Sequence, residues 1–227
     1  MIEQHPSKIL KASFRNSVTA NSYWSFSSLI NKNPDSNCDS NFGSLKKFEE
    51  IAIKPNGNFI YRADKPQELI LIPIIGAIDF FSDHQNGFVH SNQLQTINIE
   101  KGQSIEFKNP YEDGLISFLL IELDGITNRK IVEFNLSETN KLSTILYSNE
   151  WKISFGIFHS REEGTYKLAS NKNGVFAFVV NGAFEFQNRL LEDRDALSIW
   201  DIKEIEFESL TQNSLILIIE VKINNNK

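Results

Sequence analysis

The chain has 227 residues, 41% of them hydrophobic and 23% charged, which suits one large or two small globular domains and excludes wholesale disorder, collagen-like repetition and coiled coil. A net charge of -6, with Lys and Arg scattered rather than clustered, leaves no basic surface for a nucleic-acid backbone or an anionic membrane, so neither is expected as a partner. Eighteen Phe against five Tyr and three Trp, with abundant Ile, favour pleated sheet over helix.

In chain order, Met1 to Lys11 lacks the apolar stretch of a secretory leader. The longest apolar runs, 69–78 and 215–219, fall short of the roughly 20 residues that a membrane helix needs, so a cytoplasmic location is expected. The polar run 33–41 reads as a loop carrying Cys38, the single cysteine. No intrachain disulfide can form, and a free surface thiol in a reducing compartment is expected. Beyond it, short apolar or alternating segments punctuated by Gly, Asn, Asp and Pro predict strands at 69–81, 95–99, 104–107, 115–123, 153–158, 175–180, 183–186, 196–200, 205–208 and 215–221. In Glu204-Ile205-Glu206-Phe207-Glu208 the apolar pair points one way and the glutamates the other, so one side faces water. Leu215-Ile216-Leu217-Ile218-Ile219 is apolar throughout and suits a central strand buried on both faces.

The segment Ile74-Ile75-Gly76-Ala77-Ile78-Asp79-Phe80 recurs as Val180-Asn181-Gly182-Ala183-Phe184-Glu185-Phe186. Each copy is followed by strands in the same order and at similar spacing, which predicts a duplicated β-barrel.

Candidate chemistry is sparse. His5, His84, His90 and His159 stand apart, with no pair at ligand spacing. His84 and His90 flank Gln85-Asn86-Gly87, a hairpin-loop signal, and are expected to be exposed. His159-Ser160 is not a catalytic pair, because neighbours on a strand face opposite sides. No Gly-x-Ser-x-Gly elbow, phosphate loop or Cys-x-x-Cys is present.

The order of strands, with Gly76 and Gly182 at the corners, resembles the cupin barrel, and two in tandem resemble the pirin family of bicupins. The clearest stretch is 173–182 through Leu190, Asp193 to Asp195 and 215–221; Trp24-Ser25-Phe26 and Phe42-Gly43-Ser44-Leu45 are similar to the family's opening strands. The resemblance implies an all-β fold of two jelly-roll barrels packed against each other along an apolar seam. The expected division is 1–124 for the first barrel, 125–147 for a linker and 148–227 for the second.

Metal-binding pirins carry His-x-His, a third His and usually a Glu around an iron-type centre in the first barrel. Counting back from Gly76 through Glu68, the resemblance puts the His-x-His slots on Arg62 and Asp64, and the third on Ile105 or Phe107 in the stretch that ends at Asn109. Arg62 has no lone pair to give a metal. The expectation is therefore a degenerate pocket of Arg62, Asp64, Glu68, Glu106, Phe107 and Asn109, with Arg62 paired to one of the carboxylates in place of a cation. No cofactor and no catalytic residue is expected. A hard cation on the oxygens of Asp64, Glu68 and Glu106 is the alternative to that ion pair. A monomeric module binding a small molecule or a protein is the leading reading, ahead of a quercetin 2,3-dioxygenase-like oxygenase with an unconventional metal site. A third reading, a sugar-binding or structural jelly roll, predicts exposed aromatics along one groove, with Trp24, Trp151 and Trp200 as candidates.

Overall fold

The computed structural model describes residues 4–29, 41–125 and 131–223; Cys38 and its thiol lie outside them. The strands are β1 (Ser7–Leu10), β2 (Asn16–Thr19), β3 (Tyr23–Leu29), β4 (Leu45–Ile53), β5 (Asn58–Arg62), β6 (Gln67–Ile75), β7 (Ile78–Phe81), β8 (Asn86–Val89), β9 (Gln93–Ile99), β10 (Ser104–Lys108) and β11 (Ile116–Leu123). They continue with β12 (Ile131–Glu133), β13 (Ser143–Tyr147), β14 (Trp151–Phe158), β15 (Glu163–Lys167), β16 (Asn173–Asn181), β17 (Phe184–Phe186), β18 (Leu190–Leu191), β19 (Ala196–Trp200), β20 (Glu204–Ser209) and β21 (Ser214–Lys222). The only helical element among the described residues is one 3-10 turn at Ala12–Phe14, and no helix is long and apolar enough to cross a membrane.

Two compact units result, one of residues 16–41 and 45–134, the other of 1–15, 42–44 and 135–227. The first is a jelly-roll barrel of a seven-stranded sheet, β12-β9-β6-β11-β4-β3-β2, over a four-stranded sheet, β5-β10-β7-β8. The second repeats the plan with a six-stranded sheet, β1-β19-β16-β21-β14-β13, over β15-β20-β17-β18. Strand for strand, β9-β6-β11-β4 correspond to β19-β16-β21-β14, and β5-β10-β7-β8 to β15-β20-β17-β18. The units are thus two cupin barrels of one topology.

The repeated Gly-Ala corner has a physical cause. Gly76 and Gly182 adopt φ of +72° and +88°, and a Cβ at the first would meet Ile116 Cγ2 at 2.8 Å and at the second would run into Ser214 Oγ. Only glycine reaches that backbone conformation without strain. Beside each corner the sheet register slips, between Ser117 and Phe118 in one barrel and between Val179 and Asn181 in the other. A bulge there bends the strand from one sheet towards the other.

The alternation at 204–208 is present as expected, and Leu215-Ile216-Leu217-Ile218-Ile219 lies in β21, the strand between β16 and β14. Two boundaries differ from the sequence reading. The stretch 125–147 is not a plain linker: β12 pairs with β9 of the first barrel and β13 with β14 of the second, so the chain changes unit between Phe134 and Asn135. The N-terminal strand β1 pairs with β19 and belongs to the second barrel, held by Lys11 Nζ at 2.6 Å and the Ala12 amide at 2.8 Å from the buried carboxylate of Asp195.

Candidate functional site

In β5, Phe59 and Tyr61 are buried, as is Ala63 beyond it, while Ile60, Arg62 and Asp64 are exposed. Successive side chains leave a pleated strand on opposite sides, so the face that carries Tyr61 inward carries Arg62 outward. Arg62 stands opposite Ser104, and among the described residues no ion pair or hydrogen bond joins it to Asp64, Glu68 or Glu106. The expected ion pair inside the barrel is therefore replaced by an exposed guanidinium.

The other expected pocket residues disperse for equally local reasons. Glu106 alternates outward from β10, accepts a hydrogen bond from Asn58 Nδ2 at 2.7 Å and lies 3.3 Å from Lys108 Nζ; the Asn58 bond, then Lys108, hold its carboxyl below the usual range. Asn109 is a loop tie, donating to the carbonyls of Ile53, Lys54 and Gly114 and accepting from the Tyr111 amide. Glu68 is buried on the face of β6 opposite to Leu69. Phe107 alone points into the core, its ring 6.2 Å from that of Phe59 and 5.3 Å from that of Phe118. His84 and His90 are exposed, with Asn86 and Gly87 already paired in β8 rather than in the turn. His159 Nδ1 meets Gln212 and Asn213 while Ser160 Oγ donates to the Leu210 carbonyl, so the neighbouring pair is not assembled. Trp151 is core, and Trp24 and Trp200 are half-buried against Lys54 and Phe42 respectively.

A different constellation occupies one end of the first barrel's interior. Lys47 and Glu49 on β4, Gln67 on β6 and Glu122 on β11 share the inward face with the core residues Ile51, Leu69 and Leu120. Glu122, 5% exposed, receives Lys65 Nζ at 2.7 Å. Lys47 Nζ lies 2.7 Å from Glu49 Oε2 and 4.7 Å from the centre of the Tyr61 ring, whose hydroxyl accepts from Gln67 Nε2. Burial, only partly offset by that hydrogen bond and reinforced by Glu122, pushes the Tyr61 hydroxyl up to about 12.

The second barrel repeats the lysine, tyrosine, amide and glutamate at corresponding positions, with Ser154 where the first has Glu49. Lys152 stands opposite Glu220 as Lys47 does opposite Glu122. Val175 and Leu69 flank the two glutamates in register, with Asn173 and Gln67 two residues before them. Lys152 Nζ again lies 4.7 Å from a tyrosine ring, that of Tyr166. Here the carboxylate is saturated: Glu220 accepts from Tyr166 Oη at 2.8 Å, the Ala169 amide at 2.7 Å and Asn173 Nδ2 at 2.6 Å, with Lys152 Nζ at 3.2 Å. Burial and the neighbouring Glu220 charge raise the Tyr166 hydroxyl well above the usual tyrosine range. The sequence signal for both sets was a glutamate near the end of an apolar strand, in Phe118-Leu119-Leu120-Ile121-Glu122 and Leu217-Ile218-Ile219-Glu220.

The donor set does not fit an imidazole-bound iron centre. The interior positions nearest the expected ligands carry Tyr61, Ala63, Ile105 and Phe107, of which only Tyr61 has a donor atom, and it stays protonated. Among the described residues, no group of three or more His, Cys, Asp and Glu is arranged to hold a metal ion.

Residues 136–221 match the quercetinase C-terminal cupin domain family. The fold of the whole chain is similar to that of YhhW from Escherichia coli, with TM-score 0.81 at 15% identity over 98% of this chain and 100% of that one. A second structure, the bacterial pirin YhhW from Escherichia coli in complex with nickel(II), gives 0.81 at 16% over 96% and 100%. Quercetin 2,3-dioxygenase from Acinetobacter baumannii gives 0.71 at 10% over 96% and 86%. No curated protein matches by sequence. The second half of the chain thus carries a quercetinase-type cupin domain, and its whole length has the bicupin fold of these structures.

Proposed function

We propose that this pirin-like bicupin has lost the histidine ligands of its metal-binding relatives and acts as a non-catalytic binding module for a small molecule or a protein. The observation that carries the reading is the interior of the first barrel, where Ala63, Ile105 and Phe107 are buried among Phe59, Ile78, Phe80 and Phe118. An iron-type centre is held chiefly by imidazole, and the apolar packing around these positions offers none. Elemental analysis of freshly purified protein should find no stoichiometric transition metal, and quercetin incubated with the protein and Fe(II) should be consumed no faster than with Fe(II) alone. About one Fe, Ni, Cu, Mn or Zn per chain, or turnover above that control, overturns the reading. Such a result would favour the second reading, an oxygenase with an unconventional site, for which the quercetinase-type second cupin speaks.

A further inference from the structure

We propose that the outer face of the small sheet of the first barrel, β5-β10-β7-β8, is a two-fold contact between copies of this chain, where the sequence suggests a monomer. The inner face of that sheet carries the core residues Phe59, Tyr61, Phe80 and Val89. Alternation puts Ile60, Phe81 and Phe88 on the outer face, where they are 59%, 40% and 42% exposed. Register makes them one stripe: Ile60 and Phe81 flank Glu106 on either side, and Phe88 stands opposite Asp79 on the strand next to Phe81. An antiparallel sheet with one face in water alternates apolar with polar, so a stripe of large apolar side chains across its wet face marks a contact.

The sister barrel shows that the fold does not demand such a stripe. By register, Thr165, Gln187 and Leu190 take the places of Ile60, Phe81 and Phe88, and only the last is apolar. The charges differ as well. There Lys167 stands among Glu163, Glu185, Glu204, Glu206 and Glu208, and two copies of that face would repel each other. Here Arg62 and Lys108 balance Asp79 and Glu106, so a chain of net charge -6 can meet its own copy without adding like charge at the contact. Glu106 and Lys108 answer one another at 3.3 Å, with Lys108 Nζ 5.1 Å from the centre of the Phe81 ring. Arg62 and Asp79 form no ion pair among the described residues, and they lie at opposite ends of β10, across from Ser104 and Lys108 respectively. Turning one copy over onto another about a two-fold axis sets Arg62 of each against Asp79 of the other, with the apolar stripes between and each Glu106 keeping its Lys108. The face is therefore complementary to itself, and the contact closes at two chains.

Sedimentation velocity of the intact protein between about 1 and 100 μM tests the contact. One sheet face is a small interface, so a reversible monomer–dimer equilibrium in the micromolar range is expected. Phe81→Glu should weaken association about tenfold, and Ile60→Glu, at the most exposed of the three positions, gives an independent reading of the same size. Leu190→Glu, the same change at the matching place on the sister barrel, should leave association unaltered. Arg62→Glu sets like charges together at the rim and should weaken the dimer about threefold, whereas Lys167→Glu, its counterpart in the sister barrel, should not. A protein that stays monomeric over the whole range overturns the proposal. So does a dimer indifferent to both Phe81→Glu and Ile60→Glu, or one weakened as much by the two sister-barrel variants. Metal content and quercetin consumption report on the barrel interior, so the binding-module reading and this contact stand or fall separately.

Discussion

The two barrels share one polar constellation, a lysine over a tyrosine ring, a side-chain amide and a glutamate at the end of a central strand, yet they neutralise the glutamate differently. In the second barrel Tyr166, Ala169, Asn173 and Lys152 surround Glu220 at 2.6 to 3.2 Å. In the first, Gln67 turns its amide to the Tyr61 hydroxyl instead, and Glu122 is left to Lys65. One added methylene in Gln67 relative to Asn173 moves the amide past the carboxylate. A buried carboxylate costs several kcal/mol in lost hydration unless hydrogen-bonded and paired, so the second barrel has an internal support where the first relies on a partly exposed lysine.

The comparison breaks most directly at the glutamates. Glu220→Ala strands three donors and Lys152 together and should lower the unfolding free energy by about 3 to 5 kcal/mol, whereas Glu122→Ala should cost about 1 to 2 kcal/mol. Denaturant melts of both variants read the difference, and equal costs would mean that the two sites are energetically alike. Alkaline titration comes next. Burial keeps the neutral form of Tyr61 up to about 12, and Tyr166 is shifted further in the same direction. The unfolded chain releases these protons near the ordinary value of 10.0, so unfolding is proton-releasing above it and stability falls as pH rises from there towards 12. Each such group contributes a slope of about 1.4 kcal/mol per pH unit in that window. Tyrosinate absorbance should show Tyr61 and Tyr166 ionising late, as the protein unfolds.

Single hydroxyls sharpen the same contrast. Tyr166→Phe removes a donor to a charged acceptor and should cost about 1.5 to 3 kcal/mol; Tyr61→Phe removes only an amide contact and should cost about 0.5 to 1.5 kcal/mol. The smallest effect belongs to Arg62. Exposed on β5 and outside the polar set, Arg62→Met should be silent within about 0.5 kcal/mol in the same melts.

Most of the fold was legible because its signals are local. Apolar runs, the alternation at 204–208 and the repeated corners at Gly76 and Gly182 each follow from the period of a strand or from a backbone conformation that only glycine takes easily. The site was less legible. Placing the ligand slots on Arg62 and Asp64 required counting across the irregular turn between β5 and β6, and a one-residue slip there reverses every side chain from inside to outside. Glu122 and Glu220 were visible as carboxylates ending apolar strands, but their meaning depends on partners in distant strands.

Sequence by itself determined that the chain is all-β and built on a repeated plan, because residue patterning with period two and glycine corners act within a few neighbours. It also determined that the histidines stand too far apart in sequence to form a local ligand pair. Tertiary structure alone decided that β1 completes the second barrel, that Arg62 faces out and Tyr61 in, and that Lys65 rather than Arg62 answers a buried carboxylate. Those outcomes turn on strand register and on which charges burial brings within reach of one another, and both are settled only when the sheets close.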